Sequence, residues 1–335
     1  MNNFWEKLKK PFFVMAPMAD VTDAVFRQII AKYSEHGTPH GGPDVFFTEF
    51  VSSDGLMSAG REALIRDLDF SDNEHPIVAQ LFTSSPENMR ESAKLAKELG
   101  FDGIDINMGC PDRNVEKQGA GASMMKNPAL AQEVIRAAQE GAEGLPVSVK
   151  TRVGYSKDEL NTWLPALLET KPAAITIHAR TRKEMSNVPA VWSRVAHAVD
   201  IAKKSGTLII GNGDVTSVAH GQKLAKETGA DGIMIGRAIF GNPWLFNEKI
   251  SYEDIPLVDR LRVMVEHTKL FEGKFGGAKN FAIMKKHYKA YVTGFGGAKE
   301  LRMELMEGKT ASDIEHIIEG YIKGLPVDPL TNYKK

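Results

Sequence analysis

Cys110 is the only cysteine in the chain. It stands in the run NMGCP at 107–111, three residues past Asn107, with Gly109 and Pro111 making a tight, stiff turn around it. A thiol, with an ordinary pKa of about 8.5, keeps its proton at neutral pH and can donate it to a carbanion-like centre. No neighbouring residue marks a Cys-His nucleophile pair; a lone cysteine is often a small buried hydrophobe, and at this position it can instead serve as a proton donor. The run GAGAS at 119–123 supplies small residues that can close over the thiol.

Other chemistry-bearing residues recur at the ends of short apolar runs. Pro17 and Met18, Glu49, Gln80, Asn107, Lys150, His178, Asn212-Gly213-Asp214 and Gly236-Arg237 each close one such run. Singly, an amide at a strand end caps the next helix as readily as it binds a ligand. Jointly, two amides, an amine and an imidazole on successive strands can converge on a flat heterocycle. The Gly-rich turns GNGD (211–214) and IGRA (235–238), with Arg237 as counter-charge, suit a phosphate. A phosphate-bearing planar cofactor of this kind is flavin mononucleotide (FMN), with Lys150 and His178 near its pyrimidine end. Hydride delivered from a flavin to an electron-poor double bond leaves the adjacent carbon in need of the proton that Cys110 carries.

The elements that must hold these residues follow from the pattern. Eight β-rich runs, at 12–16, 44–50, 76–82, 103–107, 146–151, 173–179, 207–211 and 231–236, alternate with helix-like segments. Ser85 before Pro86 and Asn127 before Pro128 predict helix starts, and Ser156 with Glu159 predicts a capping box. The class is α/β, and the count and length match a (β/α)₈ TIM barrel, with chemistry at the C-terminal strand ends. A doubly wound open sheet competes with it.

Past GNPWLF at 241–246 the β-rich runs stop. Leu261, Val265, Leu270, Ile314, Ile317, Ile318 and Tyr321 fall at helical spacing, and Ser312 with Glu315 predicts another cap. Two domains are expected, a barrel over 1–250 and a C-terminal helical domain over 258–335.

Lys plus Arg is 42 against 43 Asp plus Glu, so the whole chain carries no polyanion signature. Residues 258–335 nevertheless hold 14 Lys/Arg against 10 Asp/Glu. Lys279, Lys285, Lys286, Lys289, Lys299 and Arg302 are interleaved with His287, Tyr288 and Tyr291. That mixture predicts contact with a phosphate backbone. One cysteine points to a reducing compartment, the cytoplasm by default, and no apolar run is long enough to span a membrane. No cysteine-based metal cluster and no protein partner is implied.

Together, APMADVTDAVFRQI (16–29), INMGCP (106–111), VSVKTRVG (147–154), ITIHARTR (175–182), NGDV (212–215) and IGRAIFGNPWLF (235–246) resemble the tRNA-dihydrouridine synthases. Residues 284–305 are similar to that family's RNA-recruitment domain. The resemblance implies reduction of a uridine in tRNA to 5,6-dihydrouridine by FMN that NADPH has reduced, with Cys110 as the proton donor to C5. It places Pro17, Met18, Ala19, Gln80, Lys150, His178, Asn212, Gly213, Asp214, Gly236 and Arg237 at flavin-contact positions. Asn107, Arg152 and Arg180 fall at the substrate. The chain departs from the family pattern at KEMSNVPAVW (183–192), where Ser186 replaces the usual aromatic residue and Val191 precedes Trp192. A small-molecule flavin reductase and a non-catalytic RNA-binding barrel are the rival readings.

Overall fold

A computed structural model describes residues 3–325. Nine parallel strands are present: β1 Phe12–Met15, β2 Phe46–Phe47, β3 Val51–Ser52, β4 Ile77–Phe82, β5 Gly103–Met108, β6 Val147–Arg152, β7 Ala174–His178, β8 Leu208–Asn212 and β9 Gly232–Ile235. Hydrogen bonding runs in the order β1-β9-β8-β7-β6-β5-β4-β2, with β3 also on β4, and a Val14–Val45 bridge brings the two ends together. This is a nearly closed eight-position parallel barrel with surrounding helices, as the alternation predicted, and not an open doubly wound sheet.

Burial explains the composition of the strands. β4, β5 and β9 are buried at every position, so each must read as a continuous apolar run apart from residues that find internal partners. Alternate side chains, among them Phe12, Val14, Phe47, Val78, Ala174, Ile210 and Met234, form one core cluster with Trp5. Trp5 arrives on a 3₁₀ turn, Phe4–Lys7, in which the Asn3 side-chain oxygen accepts the Trp5 N–H at 3.3 Å.

The second strand position differs from expectation, because the run 44–50 pairs only over β2 before resuming as β3. Thr48 and Glu49 account for the break. The Thr48 hydroxyl accepts the Gln80 N–H at 3.0 Å, and the buried Glu49 carboxylate accepts the Asp20 N–H at 2.5 Å. The helices led by Ser85 and Asn127 begin as predicted. The Ser156 box does not form, since Glu159 turns back to the Tyr155 N–H and the helix starts at Leu160. Thr310 and Asp313, not Ser312 and Glu315, cap the last helix; Glu315 instead pairs with Lys269.

The chain divides into two compact units, one comprising residues up to Ala24 with Gly42–Ala238, the other Val25–Gly41 with the chain from Ile239 onward. Residues 25–41 thus group with the C-terminal helices. Within that second unit Phe26 packs on Phe240, His267 and His287, and Lys32 and Tyr33 bond Glu266. Helices Leu257–Phe275, Met284–Tyr291, Ala298–Glu307 and Ala311–Lys323 complete it. Leu261, Ile314 and Ile318 are buried as the spacing predicted, whereas Leu270 is exposed and Phe271 takes the inward position. The last ten residues of the expected 258–335 domain lie outside the described residues.

Candidate active site

At the C-terminal ends of the strands is a cavity of about 350 Å³. Its walls bring together Pro17, Met18, Asn107, Cys110, Lys150, Arg152, His178, Arg180, Asn212, Gly213, Asp214, Gly236 and Arg237. Three residues singled out in the sequence are not among its walls: Ala19 is exposed beyond β1, Gln80 is fully buried behind Asn107, and Glu49 is buried against the Asp20 N–H. Phe50, Met185, Ser186 and Val215 also line the cavity. Phe50 follows Glu49 in the broken second strand position and packs edge-on against Phe82, with ring centroids 5.5 Å apart. It supplies an aromatic face, which Ser186 does not. Only the polar-ended strand pattern could have pointed to it.

Strand register sets the convergence. Asn107 pairs with Lys150, and Lys150 with Thr176, while Arg152 pairs with His178, and His178 with Asn212. A parallel barrel carries residues at matching strand ends to one mouth, so positions far apart in sequence become neighbours.

The cysteine loop is fixed by backbone contacts. Asn107 Oδ1 accepts the N–H groups of Gly109 (3.1 Å) and Cys110 (2.9 Å), and the Ala122 N–H donates to the Cys110 carbonyl at 2.9 Å. Gly121 makes the last contact possible: it has φ +60°, and a Cβ there would meet the Cys110 carbonyl at 2.8 Å. Arg152 braces the same loop, its Nε donating to the Gly109 carbonyl at 2.8 Å and one Nη to the carbonyls of Thr181 and Met185. Arg182 grips Glu116 on the short helix that follows Cys110.

Charge in the cavity is lopsided. Lys150, Arg152, Arg180 and Arg237 face one carboxylate, Asp214, which bonds both Arg180 and Arg237. The Arg180 hydrogen bond, foremost, holds Asp214 below the usual carboxylate range. Arg180 is thereby committed: it also donates to the Val188 carbonyl at 2.7 Å and to His178 Nε2 at 3.1 Å. With Nε2 accepting, the His178 proton sits on Nδ1. Burial, followed by Lys150 and the arginines, pushes His178 well below its ordinary value, so the ring is neutral. Arg237 is different. It is 66% exposed, and an exposed ion pair of this sort is weak enough to exchange for a ligand anion.

Lys150 is pushed down to about 8, by burial first and Arg152 second, and remains a cation at neutral pH. Burial pushes the Cys110 thiol up, so it holds its proton. At the far side, Gly213 has φ +133°, and a Cβ there would come within 2.8 Å of Ala190 and 3.3 Å of His178. Asn212 ties β8 to β9 through the Met234 carbonyl at 2.9 Å. A cationic cavity with a stripped glycine turn, a neutral imidazole and a protonated thiol fits a planar, phosphate-bearing group and an acceptor of one proton. Among the described residues no group of three or more His, Cys, Asp or Glu could hold a metal ion.

The basic run of the second unit divides into two roles. Lys285 donates to the Met306 carbonyl at 2.5 Å and Arg302 to the Val292 carbonyl at 2.7 Å. His287, Tyr288 and Tyr291, read in the sequence as interleaved with the lysines of a phosphate-contacting run, are buried in the core instead. Helical geometry requires this: 284, 287, 288 and 291 form one inward stripe, leaving Lys286 and Lys289 exposed.

Comparison with known proteins gives a consistent family. The family model described as "Dihydrouridine synthase (Dus)" matches residues 14–323. "Probable tRNA-dihydrouridine synthase 2" of Bacillus subtilis is 41% identical over 325 residues, covering 95% of this chain and 96% of its own. A "Probable tRNA-dihydrouridine synthase" of Staphylococcus aureus is 39% identical, covering 95% of each chain. Among solved structures, histamine dehydrogenase from Rhizobium sp. 4-9 shares the fold with a TM-score of 0.54 at 16% identity, over 77% of this chain and 48% of that one.

Proposed function

The chain belongs to the dihydrouridine synthase family, and from that premise we propose that it reduces a specific uridine of tRNA to 5,6-dihydrouridine, with FMN as bound cofactor and NADPH as reductant. The observation that carries the proposal is the lone cysteine, a protonated thiol on the wall of a cavity that Lys150, His178 and Arg237 also line. When bound, the flavin supplies hydride to C6 of the uracil ring. Lys150 and His178 would hold its ring, and Gly213, Gly236 and Arg237 its phosphate. Arg237 would leave Asp214 for the phosphate, while Arg180 stays on Asp214 and keeps His178 oriented. Asn107 and Arg152 would hold the uracil, and Cys110 Sγ would give its proton to C5.

The same reading assigns catalysis to residues 1–250 and tRNA recruitment to 258–335, in the cytoplasm, with no further protein partner. A uridine in folded tRNA must leave its stack to reach a barrel mouth, which favours a separate backbone-binding surface. The test is an absorption spectrum of the purified protein, then NADPH and unmodified tRNA with dihydrouridine measured. A flavin spectrum with tRNA-dependent product supports the reading. A flavoprotein that ignores tRNA would replace it with small-molecule reduction.

Lys286→Glu with Lys289→Glu is expected to weaken tRNA binding by roughly tenfold or more, reduce the slope of log affinity against log salt by about two, and leave flavin content intact. Filter binding across a salt series measures both. An unchanged slope would remove this helix face from the RNA contact.

Cofactor affinity should also depend on pH with a defined sign. Lys150 is charged below about 8 and neutral above it. Attraction for an anionic cofactor is therefore complete at pH 7 and lost through pH 9. Fluorescence titration of the apoprotein with FMN should show a decline of roughly tenfold over that window, flattened in Lys150→Met. A decline that survives in Lys150→Met would assign it to another group.

A further inference from the structure

We propose that Asp105, which lies outside the cavity, is a positioning residue: acting through Gln80, it fixes the orientation of the Asn107 amide, and with it the Cys110 loop and the hydrogen-bonding face shown to the substrate.

Three strands in register carry the parts, Gln80 opposite Asp105 and Asp105 opposite Ser148, one layer below the cavity. Asp105 is fully buried, as is Gln80. Its carboxylate is satisfied on both oxygens, accepting the Ser148 hydroxyl at 2.6 Å and Gln80 Nε2 at 2.6 Å. Gln80 Oε1 then accepts Asn107 Nδ2 at 3.1 Å. Asn107 Oδ1 in turn accepts the N–H groups of Gly109 and Cys110.

The polarity of this chain is forced from both ends. A carboxylate only accepts and a backbone N–H only donates, so the two amides between them have one arrangement without a donor–donor or acceptor–acceptor clash. In that arrangement Asn107 Oδ1 is used up by the loop. What remains for the cavity is the second hydrogen on Nδ2, a donor. On the reading of the function given above, on which this part rests, a donor there selects a pyrimidine bearing a carbonyl over one bearing an amino group.

An acceptor at 105 is what the relay needs, and a negative charge is not. Asparagine there can still offer its oxygen to Gln80 and turn its nitrogen to the Ser148 oxygen. Leucine cannot, and a buried Gln80 without an acceptor is free to turn its amide over and unseat Asn107.

The experiment uses the FMN-loaded enzyme and the convenience of a single thiol. Cys110 alkylation by iodoacetamide is followed by mass spectrometry, and kcat and KM for tRNA are measured alongside flavin content, in Asp105→Leu, Gln80→Met and Asp105→Asn. Leucine at 105 and methionine at 80 are expected to change the alkylation rate roughly tenfold and to lower kcat more than they raise KM. Asp105→Asn is expected to rescue both readouts to within about threefold of wild type. If Asp105→Asn behaves as Asp105→Leu does, Asp105 acts as a counter-charge to Lys150 and the proposal fails. It fails equally if Gln80→Met leaves alkylation unchanged. Should Asp105→Leu not fold, the contrast between Gln80→Met and Asp105→Asn decides. Because alkylation needs no tRNA, an enzyme that made no dihydrouridine would overturn the proposed function while still testing the relay.

Discussion

Cys110→Ala is expected to lose dihydrouridine formation by about 10²–10⁴-fold in kcat, the usual worth of a positioned general acid, while retaining its flavin and its oxidation of NADPH. The thiol suits the task because burial outweighs the pull of Lys150 and Arg152, leaving it protonated past its ordinary range. Its loop is held by Asn107, Arg152 and the Ala122 N–H, so removing Sγ should disturb chemistry and not structure. Cys110→Ser keeps the shape but offers a far weaker acid, and most of the loss should persist. The check is single-turnover reduction of tRNA uridine by pre-reduced enzyme, with flavin content measured from the spectrum. Product formation by Cys110→Ala within about threefold of wild type would mean that the proton comes from elsewhere.

The second large effect belongs to the C-terminal unit and to acid. His267 and His287 are both 0% exposed, with ring centroids 4.7 Å apart, and none of their four ring nitrogens has a hydrogen-bond partner among the described residues. Phe26, Phe240 and Tyr291 pack around them, and the nearby charge on His287 is that of Lys286. Burial alone pushes His267 down to about 3; burial, then His267 and Lys286, push His287 well below its ordinary value. Folding therefore favours the neutral rings. The stability they contribute is complete above the unfolded pKa of about 6.5 and is lost as pH falls below it.

Between pH 6.5 and 5 each ring can forfeit up to about 2 kcal/mol, a large fraction of the ~5–15 kcal/mol that holds a domain together. Urea unfolding at pH 7 and pH 5 should show the decline, and tRNA affinity should fall with it. His267→Leu with His287→Leu removes the groups that must be desolvated as cations, and its stability should vary less with pH. A wild-type midpoint unchanged between pH 7 and 5 would refute the effect.

Periodicity and strand-end polarity made the barrel and most of its cavity legible. Eight apolar runs with polar ends can pack in few ways, and the C-terminal ends of parallel strands converge whatever the loops do. Lys150, His178 and Arg237 could be named for that reason. The sequence grouped Lys285 and Arg302 with the other cations of the basic run, and no local pattern tells a free surface cation from one that also bonds a backbone carbonyl, as these two do. His287, Tyr288 and Tyr291 misled in the same way: their interleaving with lysines is the ordinary look of a helix with one buried stripe.

The chain by itself thus determined the βα alternation, the single thiol, the cationic strand ends and the family, because these are properties of residue type and spacing along one line. Only the tertiary structure decided that residues 25–41 group with the C-terminal helices, that Arg180 is bound to Asp214 and Arg237 only loosely so, and that Asp105 and Gln80 stand behind Asn107. Those facts depend on which donor lies opposite which acceptor across neighbouring strands and loops, and on which of them water can still reach. Register and burial are relations between distant segments, and no local run of residues carries them.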